Sequence, residues 1–261
     1  MTAKKKRRMH VTQIYLSTMD IEQRPELPDS VVDAMDSVAE AFVSVHDEVD
    51  YCFYDNERAE KFLNTHYDSK VFNAYRSLRS LAYRADLLRY CILLKTGGWY
   101  VDAAISWVTP VEIPDHVDLV AFRSIGRYAM NSWSCDNGVI FARAGHPALE
   151  VAIFNIINNV DNKYYGMTPL CPTGPSLWGR SIAECATETH DGLFFGDCME
   201  LTPNHPNKNK SFVLPGGTII AECKPANGGD LKALGAKDTN NYNELWHSKQ
   251  VYQSPLTESL I

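Results

Sequence analysis

The stretch from Arg79 to Asp102 constrains this chain more than any other. Leu81, Ala85, Leu88 and Ile92 recur at intervals of four, three and four, the spacing that aligns side chains on one face of an α-helix. Gly97 and Gly98 end that helix, because glycine enters the left-handed conformation that closes a helix at no steric cost. Trp99, Tyr100 and Val101 then favour a short strand, with Asp102 at its carboxyl end. In an open α/β sheet ligands gather beyond the carboxyl ends of strands, so Asp102 stands where chemistry is expected.

The flanking sequence repeats this alternation. Val11 to Leu16 reads as an opening strand, and Pro28 with Asp29 or Ser30 starts a helix to about Val45, with Val31, Met35, Val38 and Phe42 at helical spacing. Asp50 to Tyr54 reads as a second strand closed by Asp55 and Asn56, followed by a short helix carrying Ala59, Phe62 and Leu63. Further strands are expected at Leu119 to Phe122, Gly138 to Phe141 and Thr218 to Ala221, with a helix from Pro147 to about Asn158. Cys171 to Pro175 reads as a turn, and Pro203 to Lys210 as a polar, mobile loop. Strands alternating with helices imply an α/β fold with a mainly parallel sheet. A chain of 261 residues with 45% hydrophobic content buries a full core, which fits one domain over residues 11–261 after a basic arm at 1–10.

Charge narrows the partners. The formal net charge is -7, which argues against a general affinity for nucleic acid, because phosphate binding needs a basic face. Five basic residues nevertheless stand in a row from Lys4 through Lys5, Lys6 and Arg7 to Arg8. Such a run is read as a solvated arm, with weak attraction to an anionic membrane surface as the alternative. No apolar stretch long enough for a signal peptide or membrane helix follows it, so a cytoplasmic protein is expected, at most peripheral to the membrane's cytoplasmic face. The seven cysteines are scattered singly, which is neither a zinc cluster nor a disulfide framework.

Asp86 and Arg89 lie three residues apart and project from nearly one side of the helix, away from its apolar stripe. Taken alone they are a surface ion pair worth a fraction of a kcal/mol. Asp102, arriving one helix length later, adds a third charged group.

Here the pattern Ala85-Asp86-Leu87-Leu88-Arg89-Tyr90, followed by Gly97-Gly98-Trp99-Tyr100-Val101-Asp102, resembles the sugar-binding region of the DxD-containing glycosyltransferases. That family includes yeast mannosyltransferases, bacterial capsular polysaccharide and lipooligosaccharide transferases and, distantly, the clostridial glucosylating toxins. Val11 to Tyr15, Tyr51 to Asp55, Asn137 to Pro147, Thr173-Gly174-Pro175 and Thr239 to Ser248 resemble further family segments. The resemblance implies a GT-A fold, a Rossmann-like mixed sheet flanked by helices. It implies a UDP- or GDP-sugar donor bound by residues 11–108, a glycan or lipid-linked glycan acceptor against residues 109–261, a Mn²⁺ or Mg²⁺ ion, and retention of anomeric configuration. By the same resemblance Asp86, Arg89 and Asp102 are the catalytic group. Tyr15 would stack on the nucleobase, Tyr100 and Trp246 would join them in holding the donor, and Asp102 would face the metal.

The chain departs from the family where Asp-x-Asp is expected, since it reads Asp102-Ala103-Ala104. Glu244, His247 and Ser248 in the C-terminal segment are candidates to complete the metal site. Arg84, Arg89 or Lys95 would otherwise neutralise the diphosphate without metal. A third account is a weak or inactive nucleotide-sugar-binding relative; a nucleotide-sugar hydrolase is a further alternative. No dinucleotide-binding glycine motif, P-loop or nucleophile elbow occurs. His146, between Gly145 and Pro147, reads as a helix-starting residue. Trp133 and Trp178 are candidates to stack under a sugar, although large aromatics in such a domain are more often core.

Overall fold

The computed structural model describes residues 8–17, 29–126, 131–186, 192–201, 210–223 and 242–253. Its first part runs β1 (Met9–Ile14), α1 (Asp29–Val45), β2 (Val49–Tyr54), α2 (Asn56–His66), α3 (Ser69–Ser77), α4 (Leu81–Thr96), β3 (Gly98–Val101) and β4 (Ile105–Trp107). It continues with β5 (Leu119–Ser124), β6 (Cys135–Ala142), α5 (Pro147–Asp161), α6 (Pro175–Cys185), β7 (Leu193–Glu200), β8 (Lys210–Val213), β9 (Ile219–Cys223) and α7 (Tyr242–His247).

The strands form one sheet in the order β2-β1-β3-β6-β5-β7-β8-β9-β4. β1 pairs in parallel with β2 and β3, and β5 in parallel with β7, whereas the remaining pairs are antiparallel. The sheet is therefore mixed, not mainly parallel. The expected strands and the helices at α1, α2, α4 and α5 are present, and β1 begins at Met9, ahead of the expected Val11. Arg8 is also placed, 3.1 Å from Asp50 and 3.8 Å from Glu48, and the rest of the basic arm lies outside the described residues. So does Pro203 to Asn209, while Lys210 opens β8.

Alternation along the strands divides the core between the two faces of the sheet. On β3 and β6, Trp99, Val101, Val139 and Phe141 face one cluster, with Phe42 of α1 and Trp107 of β4. Tyr100, Ile140 and Ala142 face the other, with Leu87, Tyr90 and Leu93 of α4, Leu149 and Ile153 of α5, and Trp178 of α6.

α4 is buried far beyond its expected stripe. Leu87, Leu88, Tyr90, Cys91, Ile92 and Leu93 are all fully buried, Arg89 is 5% exposed, and Ala85 is only half-buried. Helices apolar around most of their circumference are packed on several sides, and α4 lies against β1, β3, α3 and α5. Gly97 and Gly98 carry φ of +64° and +92°. A Cβ on Gly98 would stand 2.2 Å from the His10 carbonyl oxygen. The double glycine thus both ends α4 and lets β3 close on β1.

Candidate active site

The carboxyl ends of β3, β5 and β7 lie at one edge of the sheet, and the antiparallel β6 and β8 begin there. A cleft of about 700 Å³ opens at this edge. Its floor holds Asp102, Asp136, Asn137, Cys198 and Lys210, and its far wall is built from α4 and the 168–175 loop. Tyr242 and Asn243 of α7 stand over it, with the Tyr242 ring 5.9 Å from that of Tyr83.

Asp86, Arg89 and Asp102 come together as one chain of contacts in the cleft wall. Arg89 Nη2 lies 2.9 Å from Asp86 Oδ1, and its Nη1 donates to Asp102 Oδ1 at 3.1 Å and to the Asn137 carbonyl. The guanidinium also sits 4.4 Å from the centre of the Tyr100 ring. Asp86 accepts further bonds from Asn137 Nδ2 at 2.8 Å and from Thr173 Oγ1 at 2.7 Å. Tyr90 joins the network by accepting from Asn137 and donating to the Thr173 carbonyl. Such a hydrogen-bonded polar network rigidifies what it holds. The surface ion pair of the sequence expectation is thus a buried one, because the helix face carrying Asp86 and Arg89 is covered by β6 and the 168–175 loop.

Burial pushes the Asp86 carboxyl above the usual carboxylate range, against the opposing pull of Arg89, Thr173 and Asn137. Burial raises Asp102 too, again opposed by Arg89. The side chain of Asp102 is 43% exposed, so its face away from Arg89 meets the cleft.

Other expected site residues lie elsewhere. Tyr100 is 1% exposed, donates its hydroxyl to Asp102 Oδ1 and so orients that carboxylate, and is not part of the cleft lining. Tyr15 is half-buried just past β1, one strand from β3, with its N–H bonded to the Tyr54 carbonyl, and is not part of the cleft lining. Trp246 donates its indole N–H to the Tyr165 carbonyl at 2.7 Å and packs on the α4 side of the core.

Glu244, His247 and Ser248 are exposed and line no part of the cleft, because α7 turns Tyr242 and Asn243 toward it instead. Ser248 bonds back to the Glu244 carbonyl, and His247 lies edge-on to Trp246. Among the described residues no three His, Cys, Asp or Glu side chains gather as a metal cluster. Arg84 bonds to the Leu78 carbonyl, and Lys95 lies over the Tyr67 ring, so neither reaches the cleft. Trp178 is a core residue stacked on Tyr90 at 5.1 Å, whereas Trp133 is 51% exposed. His146 does start a helix, its Nδ1 accepting from the Ala148 N–H.

The residues that complete the site without an assigned role in the sequence are Asn137, Thr173, Asp136 and Lys210. The first two fall in segments already noticed for their family resemblance; the last two carry no local signal. Burial works against the charge on Lys210, but Asp136, Cys198, Cys223 and Tyr242 together outweigh it, and the ammonium is held more tightly protonated than usual. The donor set suits a hard divalent cation, since the carboxylates of Asp102 and Asp136 line the cleft and no side chain at Gly138 crowds them.

Residues 27–118 match the family described as glycosyltransferase sugar-binding region containing DXD motif. Over this stretch the chain is similar to that family. A protein of Acanthamoeba polyphaga mimivirus, described as an uncharacterized glycosyltransferase, is 28% identical over 138 residues, 51% of each chain. The chain therefore spans about half the length of the curated relative it matches. Among solved structures it overlaps a glycosyltransferase, PaToxG, at a TM-score of 0.46 with 14% identity over 67% of each chain. It overlaps mouse xyloside xylosyltransferase 1 at 0.40 with 10% identity, over 72% of this chain and 84% of that one. Both overlaps are too slight to transfer any residue's role. The matched family region contains α4, β3 and Asp102 and stops before Asp136, Asn137 and Thr173.

Proposed function

We propose that this protein is a retaining glycosyltransferase of the GT-A type that moves a sugar from a UDP- or GDP-sugar to a glycan or lipid-linked glycan acceptor. The observation that carries the proposal is Arg89, locked between Asp86 and Asp102 in the cleft wall of the family's sugar-binding region. A guanidinium whose position is set by two carboxylates and a carbonyl is preorganised, so it meets developing negative charge without rearranging. Asp86 and Asn137 line the cleft beside it and would meet sugar hydroxyls, with Thr173 holding Asp86 from behind. A divalent cation bound at Asp102 would neutralise the departing diphosphate without taking up a proton. Tyr242 and Asn243 would cover the donor from α7. Residues 11–108 supply Asp86, Arg89 and Asp102 to the donor side, Asn137, Tyr242 and Asn243 add to it from the later part of the chain, and the acceptor would meet the remaining surface of residues 109–261. No described helix is long and apolar enough to cross a membrane. Placement in the cytoplasm, with contact to a membrane face through Lys4–Arg8, belongs to the same proposal.

The test is to incubate the purified chain with a panel of UDP- and GDP-sugars and Mn²⁺, with and without para-nitrophenyl glycosides as acceptors. Donor loss and product anomer are followed by NMR. A glycoside product of retained configuration is expected. Donor loss without transfer identifies a hydrolase, and a rise in melting temperature without donor loss identifies a silent binding protein. If no nucleotide sugar raises the melting temperature or is consumed, the donor class is wrong.

A further inference from the structure

Among the described residues, the cleft is lined by four carboxylates, Asp86, Asp102, Asp136 and Glu200, against two cations, Arg89 and Lys210. A nucleoside diphosphate entering such a cleft adds negative charge to an excess of negative charge. Unless a further cation is present, the electrostatics oppose binding. The family's usual second carboxylate is absent, and Ala104 is an exposed residue in the turn between β3 and β4.

A second carboxylate nevertheless stands beside Asp102. The antiparallel pairing of β3 with β6 sets Val101 opposite Val139, and the Asp102 N–H donates to the Gly138 carbonyl at 2.8 Å. This register brings Asp136 alongside. The point where a Cβ on Gly138 would stand is 2.9 Å from Asp102 Oδ2 and 3.1 Å from Asp136 Oδ1. The two oxygens therefore approach the same point, with Ile105 Cδ1 3.0 Å from it, and a side chain at residue 138 would crowd them both. Asp102 Oδ1 is occupied by Arg89 and Tyr100, while Oδ2 accepts no hydrogen bond among the described residues. Asp136 is held in place by the Gly138 N–H on Oδ1 at 2.9 Å and by the Cys198 thiol 3.5 Å from Oδ2.

Resting on the donor class proposed above, we infer that Asp136 supplies the carboxylate missing at position 104, so that a Mg²⁺- or Mn²⁺-type cation is held between Asp102 and Asp136 across Gly138. Two carboxylate oxygens leave the remaining coordination positions to water and diphosphate oxygens, the arrangement such cations favour with phosphate ligands. The exposed Glu244, His247 and Ser248 are not needed.

The measurement is Mn²⁺ binding to the full chain by EPR and equilibrium dialysis, alone and with saturating UDP or GDP, beside melting temperatures for each variant. The wild type is expected to bind one Mn²⁺, and Asp136→Asn to weaken it by about tenfold or more with the melting temperature nearly unchanged. The amide oxygen of asparagine still accepts from Gly138, so the fold is retained. The double variant Glu244→Gln/His247→Gln is expected to bind Mn²⁺ as the wild type does. Wild-type affinity in Asp136→Asn, loss of binding in the double variant, or no Mn²⁺ binding under either condition overturns the inference. The last result together with transfer in EDTA would mean that Lys210 and Arg89 neutralise the diphosphate without metal, with the transferase proposal intact. Mn²⁺ held through Asp136 in a protein that transfers no sugar would instead sustain this site and refute the transferase.

Discussion

Replacing Arg89 by methionine tests whether the Asp86–Arg89–Asp102 chain is buried electrostatics or a surface ornament. Methionine keeps much of the side chain's length and apolar bulk while removing the charge. Arg89 and Asp86 have side chains only 6% and 11% exposed, so water cannot replace the lost 2.9 Å contact. Asp86 keeps its bonds from Asn137 and Thr173 but is left as a buried carboxylate without its paired cation. Breaking a buried pair by removing one partner costs about 3–5 kcal/mol. The contact with Asp102 adds little, because that carboxylate is 43% exposed and an ion pair open to solvent contributes under about 1 kcal/mol. At roughly 2–4 °C per kcal/mol for a domain of this size, the melting temperature should fall by roughly 6–20 °C. Most of that loss is the stranded charge, so Asp86→Asn in the same chain should restore about 2 kcal/mol or more relative to the sum of the single changes. The assay is urea unfolding followed by circular dichroism, with unchanged slopes as the check that the native and unfolded states are comparable. A loss under about 1 kcal/mol for Arg89→Met, or strict additivity in the double variant, would show that Asp86 is not a buried charge held by Arg89.

Gly138→Ala places a methyl 2.9 Å from Asp102 Oδ2 and 3.0 Å from Ile105 Cδ1. It should cost about 1–3 kcal/mol by overpacking and also weaken nucleotide-sugar binding in titration calorimetry; donor affinity equal to the wild type would mean the placement of the two carboxylates beside Gly138 does not matter for the donor. His146 has its pKa lowered from 6.5 by burial, partly offset by Asp118, and the folded state favours the neutral ring whose Nδ1 caps α5. Its contribution is therefore full above pH 6.5 and is lost as pH falls through the lower, folded-state value. His146→Asn retains a cap acceptor and should flatten the decline in stability between about pH 7 and pH 5, to which His46 contributes in the same direction; an unchanged slope would contradict it.

Much of the framework was legible from local pattern. The α4 stripe, the double glycine and the Trp99-Tyr100-Val101 strand each follow from a few residues, because helical periodicity, left-handed turns and β-propensity act over one or two turns of chain. Local pattern does not show the strands β4, β7 and β8 or the helices α3, α6 and α7. β4 has three residues and β8 four, too few to show a period, and α3 is a nine-residue helix with mixed composition. The parallel sheet inferred from alternating elements proved mixed, since direction depends on where each strand is inserted and not on its own composition.

At the candidate site the division is sharper. Asp86, Arg89 and Asp102 stand out in the sequence because spacing on a helix and position at a strand end are local properties. Their burial is not local. The same Asp86-to-Arg89 spacing would be a solvated pair if β6 and the 168–175 loop did not cover it, and only packing reveals that Thr173 and Asn137 complete it. Glu244, His247 and Ser248 were attractive by residue type, yet the helical phase of α7 gives the cleft Tyr242 and Asn243. Asp136 gave no signal at all along the chain. It meets Asp102 because antiparallel pairing aligns β6 with β3 in one register, and a shift of one residue would turn its side chain to the opposite face.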